Sequence, residues 1–428
     1  MSSGISAASE APAGRRAVIG WCLYDWANSA FPAIIQTFVF STYFTSAVAP
    51  NPQIGTALWG QASSLAALAI AILGPIFGAV ADQGGPRKPW LLLLSLLSIA
   101  ATAALWFVRP NPADMLFALV AMAIATIGFE LGTTFYNAML PDIVPTERVG
   151  RVSGWGWGVG YAGGLVCLFL ALVVFVRPDP SPFGLDRKLA EHVRIVAPLC
   201  AIWFAIFTVP LMLWVPDRPP AALGAGAAVR RGLADLVRTL GQLRQYANVA
   251  RFLLAKMIYI DGLNTLFTFG GIYAAGSFGM SLQEVLIFGI MLNVTAGLGA
   301  IGFAWVDDWI GAKPTILISL ACLILLGGAI LLVEGKLWFY VLALAIGIFL
   351  GPAQAASRSF MARVAPPDRR AEFFGLYSFA GKATAFVGPA FVGWATYAFD
   401  SQRVGMATIL PFFVVGFLLL LTVQERRA

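Results

Sequence analysis

Charge is what this sequence has least of. Asp, Glu, Lys and Arg make up 11% of its 428 residues, against roughly 25% in a soluble globular domain. Hydrophobic side chains make up 59% and the mean hydropathy is +0.81, so water is not the main solvent of the folded chain. Histidine is limited to His192, which excludes a histidine metal centre. Cys22, Cys167, Cys200 and Cys322 all lie inside apolar runs without metal-ligand spacing, and read as small buried hydrophobes. No G-x-x-x-x-G-K-S/T stretch occurs, so there is no P-loop to hydrolyse ATP. Gly158, Gly160 and Gly163 do spell G-x-G-x-x-G, but inside an apolar run with no preceding strand, which dismisses a dinucleotide site. With no nucleophile–base pair either, no enzyme, cofactor or metal is expected.

Long apolar runs are what the chain has in quantity. Twelve spans are read, near 18–43, 55–81, 89–108, 115–140, 153–176, 195–215, 251–275, 283–306, 314–333, 338–360, 373–398 and 405–423. Each is long enough to cross about 30 Å of hydrocarbon as a helix. Their apolar residues are consecutive rather than alternating, which argues against a barrel. The expected fold is an all-α membrane protein of twelve transmembrane helices. The net charge of +7 reports topology rather than nucleic-acid binding, because cytoplasmic loops hold an excess of Lys and Arg. Placing both termini in the cytoplasm puts Arg15, Arg16, Arg87, Lys88, Arg148, Arg151, Arg218, Arg230, Arg231 and Arg363 inside, with fewer basic residues outside, such as Arg109, Lys188 and Arg403. "GRRAVIGW" at 14–21 has the look of a twin-arginine export signal, but the apolar stretch continues past signal-peptide length and reads as an uncleaved first helix.

A polar stretch divides the spans six and six. The expected organisation is a cytoplasmic tail at 1–17, a six-helix bundle at 18–216, a cytoplasmic linker at 217–250, and a second bundle with a short basic tail at 251–428. Within the linker, Leu233, Leu236, Val237, Leu240 and Leu243 recur at helical spacing, the pattern of an amphipathic helix on a membrane surface or of a soluble linker helix. The halves repeat one another. Asp25, Asn28, Ser29 and Phe31 match Asp261, Asn264, Thr265 and Phe267 at a constant offset of 236 residues. "ADQGGPRKP" at 81–89 answers "DDWIGAKP" at 307–314, and "PTERVGRVSG" at 145–154 answers "PPDRRAEFFG" at 366–375. Three correspondences in one order indicate an internal duplication, common in secondary transporters.

On these residues the chain resembles the major facilitator superfamily. "GAVADQGGPRKP" at 78–89 resembles its signature loop between the second and third helices. The resemblance implies two pseudo-symmetric six-helix bundles and a cytoplasmic gate formed by Gly78, Asp82, Arg87 and Lys88, with Asp308 as the repeat's counterpart. Gln83 and Pro86 depart from the usual pattern, which implies a weaker latch. "YDWANSAF" at 24–31 and "YIDGLNT" at 259–265 resemble the paired motifs of the vacuole-effluxer branch, which contains fungal vacuolar amino-acid exporters and bacterial relatives. A bacterial inner-membrane location and a monomer are expected.

Ionised side chains near a bilayer centre cost about 2.5–3.5 kcal/mol on insertion scales, yet Asp25, Glu130, Lys256, Asp261, Arg358 and Lys382 fall in spans. Lys256 and Arg358 lie near enough to an interface to snorkel. The resemblance places the cavity among the first, fourth, seventh and tenth helices, which carry Asp25, Glu130, Asp261 and Arg358. Separated anionic and cationic groups suit a zwitterion: carboxylates for an ammonium, Lys382 or Arg358 for a carboxylate. Asn28, Asn264, Ser29 and Thr265 add neutral donors and acceptors. Trp26, Phe129, Tyr136, Trp155, Trp157, Phe267 and Tyr377 are aromatic at similar depth, available to enclose an apolar side chain or simply to fill the core. Gly156, Gly160 and Gly164, at four-residue spacing, permit close helix approach. The expected function is secondary transport of a small polar metabolite, an amino acid or related zwitterion, by alternating access and coupled to proton or sodium. Asp25 and Asp261 are the candidate coupling sites. A proton-linked multidrug or siderophore exporter and a non-transporting receptor or scaffold are the competing readings.

Overall fold

The computed structural model describes residues 14–219, 225–241, 245–280 and 282–425. Most of the 1–17 tail, parts of the linker including Leu243, and the last basic residues therefore lie outside the described residues. Among those described there is no strand. Eleven helices among the described residues are long and apolar enough to cross a membrane.

The first, α1 (Arg15–Val48), is α-helical to Asn28 and then passes through two π-helical stretches, Pro32–Phe38 and Phe44–Val48. Pro32 has no N–H to give the preceding turn, which breaks the regular ladder there. Asn51 caps α2 (Pro52–Gly84) by accepting the Ile54 N–H at 2.9 Å. The chain leaves α2 at Gly85, whose φ of 87° suits glycine. There follow α3 (Lys88–Ala104), α4 (Met115–Ile143), α5 (Val149–Leu170) and α6 (Val196–Trp214). A linker helix (Ala225–Gly241) leads to α7 (Ala247–Phe278), α8 (Leu282–Ile310), α9 (Ala312–Ile330) and α10 (Lys336–Val364).

The span expected at 373–398 is not continuous. It forms α11a (Arg370–Lys382) and α11b (Val387–Phe399), separated by a turn at 383–386. Gly381, Gly388 and Pro389 flank that turn, and their weak helix propensity lets the chain break where side chains can satisfy the freed groups. The chain ends with α12 (Gln402–Leu421).

Leu65, Leu116, Leu213 and Leu325 are mostly exposed on the outside, an apolar surface that needs lipid as its solvent. Inside, α1 packs on α5 and α6, α3 on α4, α7 on α12, and α10 on α8 and α9. The most extensive pairs join helices from before and after the linker: α2 with α11a, and α5 with α8. Backbone-to-backbone approach makes both possible. A Cβ on Gly78 would lie 2.2 Å from Ala371 O, and one on Gly154 would lie 2.6 Å from Ala300 O. The linker helix lies against the end of α2, with Gly232 on Val80 and Leu236 buried, while Val237 stays exposed.

Candidate functional site

The first and last described residues, the α2–α3 and α4–α5 loops and their repeats meet at one end of the bundle, where two matching sets of contacts latch the halves together. Asp82 at the end of α2 accepts the Glu372 N–H at 2.9 Å, in the first turn of α11a. Asp308 at the end of α8 accepts the Arg151 N–H at 3.0 Å, in the first turn of α5. Each carboxylate thus caps a helix belonging to the other half, where unpaired N–H groups and the helix dipole favour negative charge. Glu372 and Arg151 are themselves counterparts in the 221-residue repeat.

Arginines surround both caps. Arg87 donates to Asp82 at 3.3 Å, Asp142 at 2.7 Å and Ala138 O at 2.5 Å. Burial pushes the Arg87 guanidinium below its usual value, and Asp82 opposes that shift. Asp142 also receives Arg218 and Arg370. On the other side Arg363 reaches Asp307 at 2.6 Å, Asp308 at 3.4 Å and Glu425 at 3.5 Å. Lys88 bonds Met212 O at 2.9 Å, on its own side of the latch.

One layer further in, Arg358 of α10 reaches across to Asp25 of α1, Nη1 to Oδ2, at 2.9 Å. Its Nε donates to Ser153 Oγ at 2.9 Å, its Nη2 to Ser153 O at 2.6 Å, and Nη1 also faces Asn137 Oδ1 at 3.5 Å. Trp21, Tyr136 and Trp157 surround the guanidinium at 4.7, 5.8 and 5.6 Å, a cation–π cage. Arg358 is 3% exposed and does not snorkel. Space for the pair depends on Gly156, where a Cβ would fall 2.5 Å from Asp25 Oδ2 and 2.8 Å from Arg358 Nη2.

A second pair, Lys382 on α11a with Glu130 on α4, closes at 2.7 Å and is half-buried. Beside it Lys256 is buried, donating to Tyr377 O at 2.9 Å with its Nζ 3.7 Å from the Tyr377 ring centroid. Asp261 meets no cation among the described residues. Its Oδ2 accepts the Gly388 N–H at 3.1 Å, so it caps α11b within its own half, and Thr265 donates to its carbonyl at 2.7 Å. Asn28 is buried one turn from Asp25, touched by Ser29 Oγ at 3.5 Å.

At the end opposite the latch a cavity of about 620 Å³ opens between α1, α5, α7, α8 and α10. Ser29 and Asn264 line it, with Gln36, Trp157, Asn293 and Gln354. Its lining carries no ionised side chain. Asp25 and Arg358 lie one helical turn below Ser29 and Gln354, on the latch side. Trp155 is not at the cavity; it packs edge-on against Trp305 of α8 at 5.9 Å. Tyr136 is stacked on Trp21 at 4.4 Å. Asn137, Asp142 and Glu425 carry no signal in the sequence, Ser153 and Trp21 lie in quoted stretches without being singled out as site residues, and Arg363 enters there only as a cytoplasmic charge.

The vacuole effluxer Atg22-like family model matches residues 55–428. An uncharacterized MFS-type transporter of Bacillus subtilis, YxiO, is 28% identical over 95% of this chain and 94% of its own length. Autophagy-related protein 22-1 of Penicillium rubens is 24% identical over 65% of this chain, but the match spans only 49% of that longer protein. Among solved structures, the major facilitator transporter FucP in the outward conformation superposes with a TM-score of 0.75 at 13% identity, covering 96% of this chain and 99% of its own. The human organic anion transporter MFSD10 gives 0.73 at 16% identity, covering 95% and 99%. Those identities establish the fold alone. The matching family, relative and fold are those of transporters rather than enzymes, and the chain belongs to the vacuole effluxer Atg22-like family of multi-pass membrane proteins with the major facilitator fold.

Proposed function

We propose that the protein is a secondary active transporter of a small zwitterion, an amino acid or close relative, working by alternating access with proton coupling. The observation that carries this reading is the buried Asp25–Arg358 pair, placed between the cavity and the latch and contributed by both halves. A ligand entering the cavity meets neutral donors and acceptors first, from Ser29, Asn264 and Gln354, and the closed Asp25–Arg358 ion pair one turn deeper. The cavity's volume lies within the roughly 300–1,000 Å³ range of small-molecule sites. In this reading 18–216 and 251–428 rock against each other, the latched end is cytoplasmic, and the conformation is outward-facing. The excess of Arg and Lys at the latched end and the likeness to outward-facing FucP support that orientation. The Atg22 relatives support export from a compartment or cell, in a plasma membrane if the host is bacterial.

The test is flux by purified protein in sealed liposomes, with labelled neutral amino acids as probes. Saturable counterflow, and accumulation driven by an imposed pH gradient, are expected. Flux confined to bulky cationic drugs, or binding without flux, would sink the reading.

A further inference from the structure

Three lysine- and carboxylate-bearing groups meet where α4, α7 and α11a converge, and their charges do not balance. Lys382 has Glu130 at 2.7 Å, and that pair keeps contact with solvent, the two side chains being 30% and 20% exposed. Lys256 beside it is 3% exposed. Among the described residues no carboxylate lies within 4 Å of its Nζ. Its partners are a carbonyl and a ring face, both from Tyr377, and a Cβ on Gly381 would sit 3.1 Å from Nζ. Neutral partners of this kind tolerate an amine as well as an ammonium. Two ammoniums beside one carboxylate leave an excess positive charge in a water-poor site, which burial penalises strongly.

The other charged groups do not relieve it. Arg358 on α10 is already held by Asp25, Asp261 on α7 itself by Gly388 N, and Tyr259 by Ser357. The packed stretch Ile409–Leu421 of α12 has no titratable side chain. Arg403 is bonded to Val333 O near the opposite end. Acids on α8 lie only at its ends, Glu284, Asp307 and Asp308. In the other half the residue equivalent to Lys256 is Gly20, packed against Pro210 O. This lysine has no counterpart in the repeat.

We propose that Lys256 is the group that takes up and releases the coupled proton, and that a carboxylate of the substrate completes its charged form. The proposal rests on proton-coupled transport of a carboxylate-bearing substrate as read above. With Lys256 as the free amine, Lys382 and Glu130 neutralise each other. When the amine gains one proton, the ammonium formed is neutralised by one substrate carboxylate beside Lys382. Proton and carboxylate therefore load together, and each raises the site's affinity for the other by the same factor. Asp25 stays paired with Arg358 in this state and holds the halves together.

The chain has only six lysines, so their side-chain nitrogens can be followed individually. The first arm needs no substrate: solid-state NMR of protein labelled with ¹⁵Nζ-lysine, in lipid vesicles, from pH 5.5 to 9.5. One resonance, missing from Lys256→Arg and from Lys256→Met, should pass from ammonium to amine within that range. A Lys256 signal that remains ammonium at pH 9.5 overturns the proposal. The second arm is transport in the same vesicles. Lys256→Arg, which cannot release its proton, should lower pH-gradient-driven accumulation of labelled neutral amino acids at least tenfold and keep counterflow. Wild-type accumulation in Lys256→Arg overturns the proposal as well. If wild-type protein itself moves none of these probes, the transport reading fails, and the NMR arm still decides whether Lys256 titrates.

Discussion

Asp25 and Asp261 are the same residue in two copies of one ancestral motif, yet they are stabilised in different ways. Asp25 is held by an arginine from the opposite half, with Ser153 and three aromatic rings completing that arginine's surroundings. Asp261 is held by the backbone of its own half, at the start of α11b. The difference follows from the helices opposite. In α5, Gly156 leaves room for the Asp25–Arg358 pair, and α5 runs unbroken to Leu170. The counterpart of Gly156 in α11a is Tyr377, and α11 breaks six residues later, offering Asp261 a helix N-terminus in place of a cation. In the proposed transport cycle Asp25 thus belongs to the contact that would change between states. Asp261 belongs to the interior of one half and can travel with it.

The largest effect is expected from removing one member of the inter-half pair. Arg358→Met leaves the Asp25 carboxylate buried and unpaired, a change that costs about 3–5 kcal/mol in buried pairs. A large drop in the thermal stability of the purified protein should follow, with loss of counterflow. Adding Asp25→Asn to Arg358→Met should recover much of the stability without recovering transport, because the uncompensated charge is then gone. If the single and double variants are equally unstable, the cost lies in lost packing around Trp21 and Trp157 rather than in the charge. A smaller loss is expected for Gly156→Ala. Its Cβ would fall 2.5 Å from Asp25 Oδ2, so the pair must shift or part, at about 1–3 kcal/mol for an overpacked site. Stability of Gly156→Ala matching wild type would show that the two helices separate freely there.

The two latches allow the same comparison at lower energy. An acid at a helix N-terminus contributes about 0.3–1 kcal/mol, up to about 2 when partly buried. Contacts of that size can hold a gate and still open. Asp82→Asn and Asp308→Asn both keep an acceptor for the facing N–H and lose its charge. Asp82 also offsets the almost fully buried Arg87, whose other carboxylate, Asp142, is shared with Arg218 and Arg370, whereas Arg363 retains both Asp307 and Glu425 when Asp308 is neutralised. Asp82→Asn should therefore raise labelling of cysteines introduced at the latched end several-fold, and Asp308→Asn less. Equal labelling in both variants would mean that the surrounding arginines do not distinguish the two sides.

How much of this was legible in the sequence differs by layer. Consecutive apolar residues and glycine-punctuated loops carry the spans, and the break in α11 has its signal in Gly381, Gly388 and Pro389. The repeat pairs Asp82 with Asp308 and, less visibly, Glu372 with Arg151. What those acids bind was hidden, because the donors are backbone N–H groups, which every residue except proline has. Arg358 reads as a charge near an interface, and helical spacing does not say which of several acids it meets. Ser153 and Asn137 become partners only through the crossing of α5, α4 and α10. Lys256 too reads as a charge near enough to an interface to snorkel, and its burial without an acid is a property of three helices together.

Asp261 should give the smallest change, and that is what tests its assignment as a local cap. Asn serves a helix N-terminus about as well as Asp, so Asp261→Asn keeps the bond to the Gly388 N–H and loses only the charge–dipole contribution of about 0.3–1 kcal/mol. Asp261→Ala removes the acceptor and leaves a buried donor unpaired, costing about 0.5–2 kcal/mol by comparison with other caps. Thermal stability should thus fall slightly in Asp261→Asn and further in Asp261→Ala, in that order. Asp261→Asn should keep pH-gradient-driven accumulation within about twofold of wild type, as less than 0.5 kcal/mol separates rates that close. The opposite pattern, an Asp261→Asn protein as stable as wild type that exchanges substrate but no longer accumulates it, would make Asp261 a coupling carboxylate. The two copies of the motif would then differ in their partners and share one task.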